Sequence, residues 1–275
     1  MRELVSKSID YIIRSLKDDL TVKSVADHFH YSEFHFARLF KAETGESVYA
    51  FIKRLKMDQS AIDLKLKHNK SITEIGSDYG YSPSNYSSAF KKHTAASPAQ
   101  FRKTANAGKV NNPFYPARTD VFETYAAYDD RIKIEELPDL FVLYERMIGS
   151  YADIKENWLK FISKYREYFQ SGARMLERFY DDPSVASPGS CICDLCLSVE
   201  NSCPLENVTT IRGGRFAVYR YEGAIADIFC AVQGVFSVWL SQSRYEMRER
   251  YGLSIYREIE WDHNHVVMDL CIPIQ

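Results

Sequence analysis

The residues best suited to chemistry lie in a stretch that the chain writes twice. Shifted by 50 positions, Val25 to Phe51 falls on Ile75 to Phe101, matching Tyr31 with Tyr81, Ser32 with Ser82, Phe40 with Phe90, Lys41 with Lys91 and Thr44 with Thr94. Repetition at a fixed offset marks one structural unit used twice. Phe36/Tyr86 and Phe40/Phe90 stay large and aromatic, spaced as on the buried face of a helix. The positions between them change: Phe34/Ser84, His35/Asn85, Ala37/Ser87 and Arg38/Ser88. Arg, Asn, Ser and small apolar groups on an exposed helix face can read base edges in the major groove. Phe34, His35, Ala37, Arg38, Ser84, Asn85 and Ser88 are therefore candidate base readers of double-stranded DNA. Lys41, Lys91, Lys92 and Arg102 are candidate phosphate contacts, which position a helix and carry salt-dependent affinity. The alternative is a helical bundle whose exposed faces are merely soluble.

Two other groups have the types for chemistry and lack the pattern. Cys191, Cys193, Cys196 and Cys203 are spaced C-x-C-x2-C-x6-C, unlike paired zinc knuckles, and read as small buried residues. His263 and His265 fall in a polar loop without a nucleophile or acid set beside them. We expect no metal, no cofactor and no enzymatic activity.

The elements that must position the repeated residues follow from caps and periodicity. Ile9, Ile12, Ile13 and Leu16 give a first amphipathic helix. Thr21, Ser32, Ser47, Ser71 and Ser97 stand at helix starts, Gly45 closes one helix, and Pro83 suits a first helical position. Two helix-turn-helix units result, about 21–45 and 71–95, bridged by a long helix over 48–68, within a domain 1–105. Residues 106–120 mix Gly, Asn and Pro without period and read as a linker. Beyond them, 121–275 alternates into strands around two helical stretches, 151–169 and 224–240. The order read there is β-β-α-β-β followed by a second β-α-β-β set, an α+β domain of two related halves.

Composition agrees. A 45% hydrophobic, 14% aromatic chain of 275 residues can bury two cores. No apolar run reaches membrane length, and the charged N-terminus does not read as a secretory leader, so we expect a cytoplasmic protein without a membrane partner. Residues 1–108 carry 17 Lys+Arg against 12 Asp+Glu, and 109–275 carry 18 against 25. Only the first half has the charge to face a polyanion.

The wording of both halves resembles known families. YSEFHFARLFKAETGESVYAFIKRLKM followed by ITEIGSDYGYSPSNYSSAFKKHTAASPAQFRK resembles the DNA-binding domain of AraC/XylS-type bacterial transcription regulators, over roughly 3–104. That resemblance implies seven helices, with two recognition helices in successive major-groove faces, so that a monomer on DNA suffices. It maps base contacts onto Phe34, Ala37 and Arg38, and onto Ser84, Asn85 and Ser88. The turn before the second recognition helix is one residue shorter than is usual, and Ser88 stands where an Arg is common. FYDDPSVASPGSCICDLCLSV, IRGGRFAVYRYEG and the closing IYREIEW and DLCIPI resemble the GyrI-like ligand-binding domain, over about 125–275. This implies a pocket between the two halves for a small, hydrophobic and often cationic effector, with Tyr144, Trp158, Tyr180, Trp239 and Tyr256 as candidate lining. The family's Glu two residues before Tyr256 is Ser254 here, so Glu258 or Glu260 becomes the candidate counter-charge. Alternatives are a ligand-insensitive regulator whose second domain contacts a protein such as RNA polymerase, or a GyrI-like hydrolase fused to a DNA-binding domain.

Overall fold

Hydroxyl side chains start most helices of the first hundred residues. In the computed structural model, which describes residues 1, 3–187 and 189–275, these are α1 (Glu3–Arg14), α2 (Val22–His28), α3 (Glu33–Thr44), α4 (Val48–Leu66), α5 (Ile72–Asp78), α6 (Pro83–Thr94) and α7 (Pro98–Ala105). The Thr21, Ser47, Ser71 and Ser97 hydroxyls accept from backbone N–H groups three residues on, at 3.0–3.2 Å. Thr21 and Ser71 complete reciprocal capping boxes with Ser24 and Glu74.

The repeat is a repeat of packing. Phe40 meets Phe51 edge-on with ring centroids 5.1 Å apart, and Phe90 meets Phe101 in the same way at 5.4 Å. All four phenylalanines except Phe101 are fully buried. Helix α4 ties both copies together through two buried aspartates. Asp58 receives Arg54 of its own helix and, at 2.6 Å, His93 of α6. Asp63 accepts from the Tyr79 hydroxyl at 2.9 Å and lies 3.5 Å from the Lys17 ammonium.

The copies differ where the backbone turns left-handed. The first has His30 (φ 60°) in its turn and Gly45 (φ 79°) after α3; the second has Gly80 (φ 80°) and Ala95 (φ 61°). Each copy thus keeps one glycine and strains one L-residue, at about 1–2 kcal/mol. Gly76 is required for a different reason: a Cβ there would stand 2.7 Å from Cγ of the Tyr86 ring, so α5 and α6 could not close.

The second compact unit runs from Gly108 to Gln275. The segment read as a linker folds instead. Strands β1 (Lys109–Asn111) and β2 (Thr119–Val121) pair antiparallel. Their hairpin is closed by Asp120, which accepts from Asn112 at 2.8 Å and pairs with Arg118. Short α8 (Tyr125–Asp129) follows, then β3 (Ile132–Leu137), β4 (Leu140–Gly149), α9 (Ile154–Lys164), β5 (Met175–Phe179), β6 (Cys191–Ser198), β7 (Val208–Ile211), β8 (Gly214–Ala224), α10 (Ile228–Gly234), β9 (Gly252–Glu260) and β10 (His265–Pro273). Helix α10 runs on through a π-helical turn, Val235–Leu240. Eight strands form one antiparallel sheet in the order β3-β8-β10-β9-β5-β6-β4-β7.

Alternation divides that sheet into two buried faces. Leu143, Cys193, Leu195 and Leu197 pack with Trp158 and Phe161 of α9. Val142, Leu176, Cys196, Phe216, Val218, Leu253, Ile255 and Cys271 pack on the other side. An arginine–aspartate–arginine ladder crosses the strands twice: Arg146–Asp194–Arg178 over β4, β6 and β5, and Arg220–Asp269–Arg257 over β8, β10 and β9. The first ladder is buried, whereas the arginines of the second are half-exposed.

Chemical denaturation checks the two glycine arguments. Ala95→Gly should stabilise the first unit by about 1 kcal/mol by relieving the left-handed alanine. Gly76→Ala should destabilise it by about 1–3 kcal/mol, because a rigid ring blocks the methyl.

Candidate functional site

The turn–helix unit of the first copy presents an aromatic and cationic surface. Phe34 is 81% exposed, and Arg38 is exposed without an ion pair among the described residues. His35 and Ala37 are half-buried at the helix shoulder. On α6 the corresponding surface is Ser84, Asn85 and Ser88, all exposed and uncharged. Lys41, Lys91 and Lys92 are exposed at the last turns of α3 and α6. Arg102 is the exception among the expected phosphate contacts. It is half-buried, with Nε and Nη2 out of solvent and unbonded, because α7 turns it into the bundle.

The structure separates the aromatic residues expected in one pocket. Trp158 of α9 and Tyr256 of β9 converge: the indole Nε1–H and the Tyr256 hydroxyl each donate, at 2.7 Å, to Oε1 of Glu177. Tyr144 and Tyr180 belong to the opposite face. They lie beside Arg178, with ring centroids 5.9 and 5.5 Å from its guanidinium, and Tyr180 donates to Asp194 at 2.9 Å. Trp239 packs elsewhere, donating to Asp129 at 2.8 Å and stacking on Tyr245. Glu258 is exposed near the end of β9 and does not replace the missing Glu. Strand alternation is the cause, since adjacent residues of β5 point to opposite faces.

Glu177 is the residue that sequence reasoning missed. It sits directly across from Ser254 in the β5–β9 pairing, which puts a carboxylate next to the serine position. Its side chain is 7% exposed. Both donors go to Oε1, and no Lys, Arg or His among the described residues pairs with it. Burial raises its pKa above the usual carboxylate range, while the two neutral donors pull it down. Close by, the Tyr151 hydroxyl is buried, and burial raises its pKa well above 10. Phe179, two residues along β5, meets Phe236 of the π-helical turn at 6.2 Å. Apolar and aromatic side chains thus surround a carboxylate whose two recorded donors, indole and phenol, are both neutral.

Asp194 is the contrasting case. Burial would raise its pKa, but Arg146 and Arg178 hold it at about 2. Cys191, Cys193 and Cys196 lie buried in β6, where burial raises the Cys193 and Cys196 thiols. No helix of the described residues is long and apolar enough to cross a membrane.

Comparison with known proteins matches residues 25–104 to a helix-turn-helix domain model and residues 131–275 to a GyrI-like small molecule binding domain. The HTH-type transcriptional regulator YfiF of Bacillus subtilis (strain 168) is 35% identical over 109 residues, 38% of this chain and 34% of its own length. MarA, the multiple antibiotic resistance protein of Escherichia coli (strain K12), is 31% identical over 102 residues, 37% of this chain and 80% of its own. The C-terminal domain of AraT, a response regulator from Geobacillus stearothermophilus, shares 32% identity, covering 38% of this chain and 86% of that one, with a TM-score of 0.36. The chain thus spans about a third of YfiF and most of MarA.

The two buried carboxylates should leave opposite marks on stability. Asp194 contributes stability that is present above its unfolded value of 3.8 and is lost as the pH falls towards about 2. Asp194→Asn should cost about 3–5 kcal/mol at neutral pH, because two buried guanidinium groups lose their counter-charge. Glu177 has the reverse sign: its native state keeps the proton longer, so stability falls as pH rises above 4.5 towards its raised native value. Denaturation of Glu177→Gln across pH 4–8 should show that fall removed.

Proposed function

We propose that this chain, which belongs to the AraC-type helix-turn-helix regulators and to the GyrI-like small molecule binding family, reads an asymmetric DNA site and adjusts transcription to a hydrophobic effector. On the DNA side, the reading rests on two recognition helices that share a frame and differ on their exposed faces. Arg38 is the strongest base reader, and the serine-rich face of α6 chiefly holds the protein on the backbone.

On the effector side, one observation carries the reading: Glu177 is a buried carboxylate with two neutral donors and no cation among the described residues. An ionised carboxylate out of water is costly unless it is paired. A hydrophobic ligand bringing an ammonium or another strong donor to Oε2 would supply the missing partner, with Trp158, Tyr256, Tyr151 and Phe179 around it. Glu177 stands where β5 meets β9. The duplicated arginine–aspartate–arginine ladder supports reading the unit as two β-α-β-β halves that join at that seam.

Helix α10 is the natural reporter of occupancy. Its π-helical turn packs Phe236 on Phe179, and such turns are often found at functional sites. Its first turns hold the hairpin: Arg118 pairs with Asp227 at 2.5 Å, and Phe114 meets Phe229 at 5.6 Å. Displacing α10 therefore loosens the segment that leads directly from α7.

Two measurements test this reading. In thermal-shift titrations of the full chain, hydrophobic amines should stabilise by about 2.7 kcal/mol at a hundredfold excess over Kd, and neutral isosteres at the same concentration by less. Glu177→Gln should erase that preference; equal shifts in wild type and variant would sink the role of Glu177. On a selected DNA site, Arg38→Ala should cost about 1–3 kcal/mol confined to one base position. A uniform loss on all sequences would make Arg38 a phosphate contact instead.

A further inference from the structure

The same tyrosine does two different jobs in the two copies. In the second, Tyr81 precedes the cap Ser82 and packs on Tyr86, ring centroids 6.2 Å apart. That is the spacing of a hydrophobic staple, the residue before the cap meeting the fourth helical residue. In the first copy Tyr31 occupies the same place before Ser32, yet its ring stacks on His35, one position earlier than Phe36. The two rings are 5.7 Å apart and within 5° of parallel, and Tyr31 is 38% exposed. A local rule kept in one copy and broken in the other marks a site where something besides stability is selected.

His35 lies in the first turn of α3, where recognition helices meet base edges. A half-exposed imidazole samples several rotamers, and fixing one on DNA costs affinity. A parallel ring stack removes that freedom before binding. The imidazole carries an N–H donor whichever tautomer it adopts, and the major-groove edge of every purine carries an N7 acceptor. We propose that Tyr31 is a positioning residue: its stack holds the His35 imidazole ready to donate a hydrogen bond to a purine N7. This rests on the DNA-binding reading and adds to it a base class and a residue outside the recognition helix.

The experiment uses the full chain. A random duplex library is selected on wild-type protein, and the enriched site is then rebuilt with 7-deazapurine at each purine in turn, which removes N7 and leaves base pairing intact. Wild type should lose about fivefold at one position through a single hydrogen bond. His35→Ala and Tyr31→Ala should each lose that sensitivity, while Tyr31→Phe, which keeps the ring, should retain it. If Tyr31→Ala weakens binding equally on every duplex and keeps the 7-deaza effect, Tyr31 is merely structural and the proposal falls. If Tyr31→Phe behaves like Tyr31→Ala, the hydroxyl rather than the stack matters, and it also falls. Failure of wild type to enrich any sequence would overturn the DNA reading itself.

Discussion

Taking a carboxylate out of water costs several kcal/mol unless cations or donors replace the lost hydration, and this chain is organised around how it meets that cost. Asp58 is met by Arg54 and His93, Asp63 by Lys17 and Tyr79, and Asp194 by Arg146, Arg178 and Tyr180. Each of these fastens two or more elements: α4 to α6, α4 to α5, and three strands of the sheet to one another. Glu177 breaks the pattern. It is also enclosed, but indole and phenol are its recorded donors among the described residues. The difference is one of charge: the aspartates are met by cations, and Glu177 joins β5 to α9 and β9 through neutral donors.

The doubled helical unit shows a related division of labour. Its aromatic frame is nearly invariant between copies, because Phe40 on Phe51 and Phe90 on Phe101 need the same space. Its turns are not. One copy places histidine and the other alanine in left-handed backbone that suits glycine, so each copy tolerates strain at a different end of its recognition helix. Such tolerance is available only because α4 clamps both copies from behind.

The helical half was legible in sequence because its determinants are local. Caps such as Ser47 and Ser71, the four-residue aromatic spacing and Pro83 all act within a turn or two. The sheet was legible as strands but not as a site. Whether Glu177 meets Ser254, and hence Tyr256, is fixed by the β5–β9 register across some eighty residues, and no periodicity records it. The same limit explains why Tyr144 and Tyr180 were grouped with Trp158: all are large aromatics of one unit, and only pairing shows that they face apart. Helix α8 and strand β7 were too short to leave a period. The one signal available for Glu177 was a lone acid inside the apolar strand Met-Leu-Glu-Arg-Phe.

The hairpin of β1 and β2 changes where the chain can be cut. Its strands are three residues each, and what holds them is the knot of Asn112, Arg118 and Asp120 together with the seat on α10. A fragment begun at residue 121 would keep only Val121 of the hairpin, strip Asp227 of its arginine and uncover Phe229. A protease that nicked the tip near Tyr115, which is 48% exposed, would leave both strands attached to one body. The second unit therefore starts at Gly108, before the hairpin rather than after it.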